Sequence, residues 1–324
     1  MSTAAPNDIV LYNYDFSPYG KRITAYLALR GIDYAICTQP FTMPRPDLDL
    51  LNIHYRRIPI LAIGKDIYFD TRLILRTLEA LSTIPTPRLG ATTGQDRFIE
   101  KLLDKYMIEG PVFSIVAGLV PVGMAAEPAF QKDRQGMLGR NWSKEELEEG
   151  RGECVTYVKN MFGFFESTIL EDGRQWVLGG EGPKLADIEA IFMLDFATSM
   201  QLPPNISEKT FPRVFAWLER YRAAVEQAKS SSSQPATLDG QAAAKSILVS
   251  ELGHPHVQVD RDDPASLDEG TEVEIYPGDW VTGHKDRGRL VGLTTDEVTI
   301  AVKSKGDVEL RIHAPRTGFK IRKA

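Results

Sequence analysis

The sequence predicts a multi-domain protein: an α/β N-terminal region, an all-α middle and a small all-β barrel at the C-terminus. Three observations predict it. Residues 1–86 alternate short β-rich runs with amphipathic helical stretches, and residues 87–227 carry apolar residues at helical spacing. Residues 269–324 break into short, alternating, β-branched runs between Gly and Asp turns. The stretch at 228–268 is rich in small and polar residues and reads as a linker.

In the first region, DIVLY (8–12) is a strand, followed by a helix whose apolar face carries Ile23, Tyr26, Leu27 and Leu29. Gly31 ends that helix, and IDYAIC (32–37) is a second strand. A β-helix-β unit this short implies a parallel pair joined by a right-handed crossover. After the proline-punctuated QPFTMPRPDLDLLN come a strand at 59–63, a tight turn at Gly64-Lys65 and a strand at 66–69. A helix starts near Thr71, capped by Asp70 or Thr71.

The helical middle has its own start signals. GQDRFIEKLLDKYM places Phe98, Leu102 and Met107 near helical spacing. Ser143 and Glu146 have the spacing of a capping box, and Pro212 opens a helix carrying Val214, Trp217, Leu218 and Tyr221. Beyond the linker, TEVEIY, RLVGL, EVTIAVK and DVELRIHA are the strands of the expected barrel.

Composition excludes several function classes. The 324 residues suit two or three domains, and 43% hydrophobic with 25% charged residues is ordinary for a globular protein. A net charge of −6 gives no reason to expect nucleic acid or an acidic membrane surface as partner. No apolar run approaches a membrane span, and MSTAAPNDIVLYNY lacks the layout of a signal peptide. Two cysteines, Cys37 and Cys154, make no disulfide framework, so a reducing cytoplasm is expected. Five scattered histidines, two of them in GHPH (253–256), show no metal-ligand spacing, and no metal site is expected.

Ser17, in SPYG at a strand-to-helix junction, has two readings. It is a helix cap, or it is a hydroxyl beside free N–H groups and the positive end of a helix dipole, where a bound sulfur anion would be stabilised. No Ser-His-Asp arrangement makes it a nucleophile.

Four motifs, in this order and spacing, carry a family resemblance: SPYGKRI at the first helix, RRIPIL before the third strand, DTRLILRTLE at the third helix, and LADIEA (185–190). Over roughly residues 8–225 the chain resembles the glutathione transferase superfamily. With its extra C-terminal region and the wording MPRPDL…YRRIPILAIG it resembles a fungal, serine-type subset of that superfamily.

The resemblance implies a thioredoxin-like glutathione-binding domain over 1–86 and a helical domain over 87–227. Ser17 would donate a hydrogen bond to the glutathione sulfur, with Tyr12 or Tyr14 as rival activators. Pro59 corresponds to the family's cis-proline, and Ile58 before it would pair through its backbone with the cysteinyl part. Arg57, or Arg56, would grip the glycine carboxylate. Asp70 and Thr71 replace the usual Glu-Ser pair for the γ-glutamyl ammonium and carboxylate. Asp187 corresponds to the capping aspartate of the helical domain, with Lys184 in place of the expected Ser or Thr.

A pocket for a hydrophobic electrophile is expected between the domains. It would be lined by Tyr14 and by Phe113, Met124 and Phe130 of an apolar, Pro- and Gly-punctuated run, for which core packing is the alternative. The resulting expectation is a homodimeric, glutathione-dependent transferase. Glutathione-dependent cis-trans isomerisation and a non-catalytic interaction scaffold are the alternatives.

Overall fold

The computed structural model describes residues 5–82, 87–125, 127–138, 142–253 and 257–324. His254 and His256 of the GHPH stretch lie outside them. In chain order the elements are β1 (Ile9–Asn13), α1 (Pro18–Leu29), β2 (Ala35–Thr38), α2 (Pro46–Asp49), β3 (Ile60–Ile63), β4 (Asp66–Phe69) and α3 (Thr71–Ala80). Then come α4 (Gly94–Glu109), α5 (Val112–Ala117), α6 (Val122–Ala125), α7 (Pro128–Leu138), α8 (Lys144–Glu149), α9 (Arg151–Glu166), α10 (Leu185–Thr198) and α11 (Pro212–Ser231). The chain closes with β5 (Ala236–Thr237), α12 (Gly240–Val249), β6 (Glu272–Pro277), β7 (Asp286–Leu293), β8 (Glu297–Lys303), β9 (Glu309–Pro315) and β10 (Phe319–Lys323).

Two compact units result. The described residues of Met1–Ile23, Asp33–Leu81 and Ser233–Ala324 form the first, and those of Thr24–Ile32 and Ser82–Ser232 the second. In the first, β1 and β2 pair in parallel with Val10 opposite Ala35, as the short crossover requires. β3 and β4 form the expected antiparallel hairpin, Ile60 opposite Phe69 and Ile63 opposite Asp66. Gly64 in its turn has φ of +57°, and a Cβ there would lie 2.2 Å from the Glu251 carbonyl oxygen. Only glycine fits both the conformation and the approach.

The C-terminal strands are joined to the N-terminal sheet, where the sequence suggests a separate domain. Among the described residues the strand order is β10-β6-β7-β8-β9-β4-β3-β1-β2-β5, one continuous sheet whose edges are β10 and β5. The joint is a parallel pairing of β4 with β9, Ile67 opposite Ile312 and Tyr68 opposite His313. An uncovered β4 would present a row of unpaired backbone groups, and β9 satisfies them.

The expected linker is also partly built into this unit. β5 pairs in parallel with β2, Ala35 opposite Ala236, and Asp239 caps α12 by accepting from the Ala242 N–H at 2.8 Å. Ala243, Ala244 and Ile247 of α12 enter the same buried cluster as Val10, Tyr12, Ile60, Ile300 and Ile312. One core therefore spans both ends of the chain.

In the helical unit, α10 is the central element: every residue from Leu185 to Leu194 is buried. Asp187 Oδ2 accepts from the Lys184 N–H at 2.9 Å, while Oδ1 accepts from the Val177 N–H at 2.9 Å and from Trp217 Nε1 at 3.0 Å. The carboxylate half of the capping box survives the loss of its serine or threonine. On α4, Met107 is buried, whereas Phe98 and Leu102 are exposed. No helix among the described residues is long and apolar enough to cross a membrane.

Candidate functional site

Ser17 caps α1. Its N–H donates to the Tyr14 carbonyl at 3.1 Å, and its Oγ accepts from the Gly20 N–H at 3.0 Å. Both sequence readings are compatible, because a hydroxyl can accept from the helix and still donate its own proton. Among the described residues that proton has no protein acceptor. Ser17 is only 2% exposed, so the hydroxyl sits in a protected position. A Cβ at Gly20 would lie 1.9 Å from Asn13 Oδ1, so a larger residue there would have to displace the Asn13 side chain.

The rival tyrosines differ. Tyr12 is fully buried in the sheet core, and burial, then the nearby Cys37 and Asp47, raise its hydroxyl far above its usual range. It stays neutral. Tyr14 is half-buried, with Phe41 edge-on at 5.1 Å and the Arg45 guanidinium 5.8 Å from its ring centre. Cys37 is no stand-in nucleophile: burial first, then Asp47, push its thiol up to about 12.

Pro59 follows a cis peptide bond with Ile58, and both residues are buried at the start of β3. Asp70 sits between β4 and α3 with φ of +69° and ψ of 130°, a backbone region rarely occupied by a residue bearing Cβ. Its carboxylate caps α3 by accepting from the Arg72 N–H at 3.0 Å. The Arg72 fork holds both oxygens, Nε to Oδ1 at 3.0 Å and Nη2 to Oδ2 at 2.9 Å. Burial alone would raise the Asp70 carboxyl, yet Arg72 and Arg57 hold it below the ordinary value, so it is ionised. Thr71 is buried, and its Oγ1 accepts from Nη1 of the fully buried Arg22 at 2.6 Å.

Arg57 is held by the β6–β7 connection. Its Nη2 donates to Asp279 Oδ1 and, at 2.7 Å, to the Trp280 carbonyl, while the guanidinium lies 3.7 Å from the Trp280 ring centre. Its buried Nε has no acceptor among the described residues. Arg56 is also buried, and its carbonyl accepts from Arg45 Nη1.

Around the N-terminus of α3 the structure thus gathers Arg22 and Arg72, with Arg57 acting electrostatically on Asp70. The donors at a helix N-terminus and this positive charge suit an anionic ligand group. The buried unpaired Arg57 Nε and the undonated Ser17 proton are two further donors. The γ-glutamyl carboxylate and the thiol of glutathione fit such a donor set.

Of the expected pocket residues, Phe113 in α5 is half-buried and Met124 in α6 is exposed. Phe130 in α7 is buried, with Trp142 edge-on at 6.2 Å and the Arg134 guanidinium 5.1 Å from its ring centre. Phe130 therefore serves the packing of the helical unit itself. Arg22, Arg72, Asp279 and Trp280 were not anticipated. Arg72 lies inside the quoted DTRL motif, whereas nothing local to YPGDWVTG marks it as a neighbour of Arg57.

A solved GST-like protein from Pseudomonas syringae superposes with a TM-score of 0.70 at 21% identity, covering 98% of this chain and 100% of that one. The fold is glutathione S-transferase-like. Residues 11–85 match the family described as glutathione S-transferase, N-terminal domain, and residues 116–230 match a domain of unknown function, DUF7962. Because the P. syringae protein is covered from end to end, the likeness includes the C-terminal strands as well as the helical unit.

Two other solved structures are more distant. A maleyl pyruvate isomerase, described as a bacterial glutathione S-transferase in Zeta class, has a TM-score of 0.48 at 18% identity, covering 69% of this chain and all of that one. A maleylacetoacetate isomerase from Anaeromyxobacter dehalogenans, solved with dicarboxyethyl glutathione and citrate, has a TM-score of 0.46 at 17% identity, covering 70% and 94%. No curated protein matches the chain.

Proposed function

We propose that the protein is a glutathione-dependent transferase acting on a hydrophobic electrophile, with Ser17 as the residue that stabilises the thiolate. The observation that carries this reading is the Ser17 hydroxyl, which caps α1 through its oxygen and keeps its proton for a ligand. Bound glutathione would supply the nucleophilic sulfur: the thiolate adds to an electron-poor double bond, the carbon–sulfur bond forms as the π bond breaks, and the carbanion so formed takes a proton from water.

Ser17 donates a hydrogen bond to the sulfur, and the N-terminus of α1 adds its positive end. A free thiol, with a pKa of about 8.5, is only a few per cent thiolate at neutral pH. Stabilising the anion by one to two pKa units is worth roughly 1.4–2.7 kcal/mol. Ile58 offers its backbone to the cysteinyl part of the ligand. Thr71 and the first N–H groups of α3 receive the γ-glutamyl carboxylate, and Asp70 the ammonium through lone pairs that Arg72 leaves open. Arg57 lies toward the glycyl end of the ligand, with its charge already paired to Asp279. In the helical unit, Phe113 and Met124 supply apolar surface suited to a hydrophobic electrophile.

The test is calorimetric titration with glutathione at pH 6.5 and 8, together with ultraviolet absorbance of the bound thiolate. Wild-type binding with a thiolate signal that Ser17→Ala loses supports the reading. No binding of glutathione or of its glycyl ester at millimolar concentration refutes it and favours a non-catalytic, interaction role.

A further inference from the structure

Arg57 is claimed from within the chain before any ligand arrives. Asp279 and Trp280 lie in the connection between β6 and β7, 222 and 223 residues away in sequence. Trp280 stacks under the guanidinium and accepts from Nη2 with its carbonyl, which fixes the plane and position of the group. Asp279 takes the same Nη2 with a single oxygen, and its side chain is 51% exposed. The two residues thus play different parts: one positions the arginine, the other neutralises it. The same C-terminal region reaches Arg72, whose Nη2 donates to the Thr317 carbonyl at 3.1 Å.

A carboxylate on a bound ligand would meet Arg57 in competition with Asp279. The buried Nε remains as a donor, but the charge is already compensated, and a second carboxylate beside Asp279 is repelled. We propose that Asp279 is a specificity-determining residue that disfavours a free C-terminal carboxylate on the thiol ligand, so that the site binds glutathione but prefers γ-glutamyl-cysteinyl thiols whose C-terminal end is uncharged. This rests on the glutathione reading above and assigns to the C-terminal strands a part in ligand choice.

The experiment compares glutathione with its glycyl monoethyl ester by calorimetry on the full chain. The variants are Asp279→Asn, Asp279→Glu and Arg57→Gln. The readout is the ratio of the two dissociation constants within each protein, which cancels any general loss of folded material. Wild type is expected to bind the ester at least as tightly as glutathione. Asp279→Asn should shift the ratio toward glutathione by roughly tenfold, the size of one charge-assisted contact. Asp279→Glu should keep the wild-type ratio, and Arg57→Gln should remove the effect of Asp279→Asn when the two are combined. An unchanged ratio in Asp279→Asn, with both thiols bound, overturns the proposal and leaves the glutathione reading standing. Failure of every protein to bind either thiol overturns both.

Discussion

His313 Nε2 lies 2.8 Å from Asp66 Oδ1 across the β4–β9 joint, and its Nδ1 lies 2.7 Å from Glu297 Oε1. Both ring nitrogens face carboxylates, so the imidazole is bound as a cation. Burial opposes that charge, but the hydrogen bonds and charges of Asp66 and Glu297 outweigh it and raise the His313 pKa. Tyr68 stacks on the ring at 4.6 Å, Thr299 Oγ1 lies 3.2 Å from Nδ1, and Arg76 pairs with the other Glu297 oxygen at 3.0 Å.

A raised folded pKa gives stability that is complete below the unfolded value of about 6.5 and lost as pH rises through the folded one. Replacing His313 by Gln removes the cation that Asp66 and Glu297 share, although Arg76 stays on Glu297, a loss of about 3 kcal/mol at pH 6. Thermal melts of wild type and His313→Gln from pH 6 to 10 should converge as pH rises. A constant gap would show that the histidine does not titrate in the folded protein.

Ser17 has two duties that substitution can separate. Ser17→Ala removes the cap and should cost about 1 kcal/mol of stability. Ser17→Asp restores an acceptor for the Gly20 N–H but has no proton to donate when ionised. The expected outcome is near-native stability by urea denaturation with thiolate absorbance lost on glutathione binding. Retention of the thiolate signal in Ser17→Asp would move the activating role to another group.

Gly64→Ala tests the junction between the β3–β4 turn and residues 250–252. The new Cβ meets the Glu251 carbonyl oxygen at 2.2 Å in a left-handed backbone conformation. Lys65 N–H also donates to that carbonyl at 3.0 Å, so shifting it breaks a second contact. A loss of roughly 2–3 kcal/mol is expected by denaturant unfolding, from conformational strain and the lost hydrogen bond. Proteolysis should then cut first near 250. An unaltered midpoint would mean that this segment can move away at no cost.

Local pattern explains how far the sequence alone reaches. The β1-α1-β2 unit and the β3–β4 hairpin were legible because crossover length, a Gly turn and apolar spacing are written within short windows. Ser17, Pro59 and Asp70 were legible as start signals of helices and strands. The β4–β9 pairing was not, because DVELRIHA alternates like any half-buried strand and nothing in it names Asp66–Tyr68 as its partner. Histidine 313 looked isolated for the same reason. The misread linker is different: DGQAAAKSILV does carry a capping Asp239 and Ala243, Ala244 and Ile247 at helical spacing. Counting alanine as a small linker residue instead of a strong helix former hid α12.

Asp187 offers the sharpest test of the helical unit. It is fully buried, and burial raises its pKa despite hydrogen bonds from Lys184, Val177 and Trp217. Asp187→Ala strands two buried donors, the Val177 N–H and Trp217 Nε1, and the part-buried Lys184 N–H, and each buried donor costs about 1–3 kcal/mol when left unmade. Helical circular dichroism and Trp fluorescence should therefore report loss of the unit at a much lower temperature than in wild type. Asp187→Asn keeps one acceptor oxygen and should fall between the two. Equal melting of Asp187→Ala and wild type would show that these donors find other partners, and that Asp187 is dispensable to the helical unit.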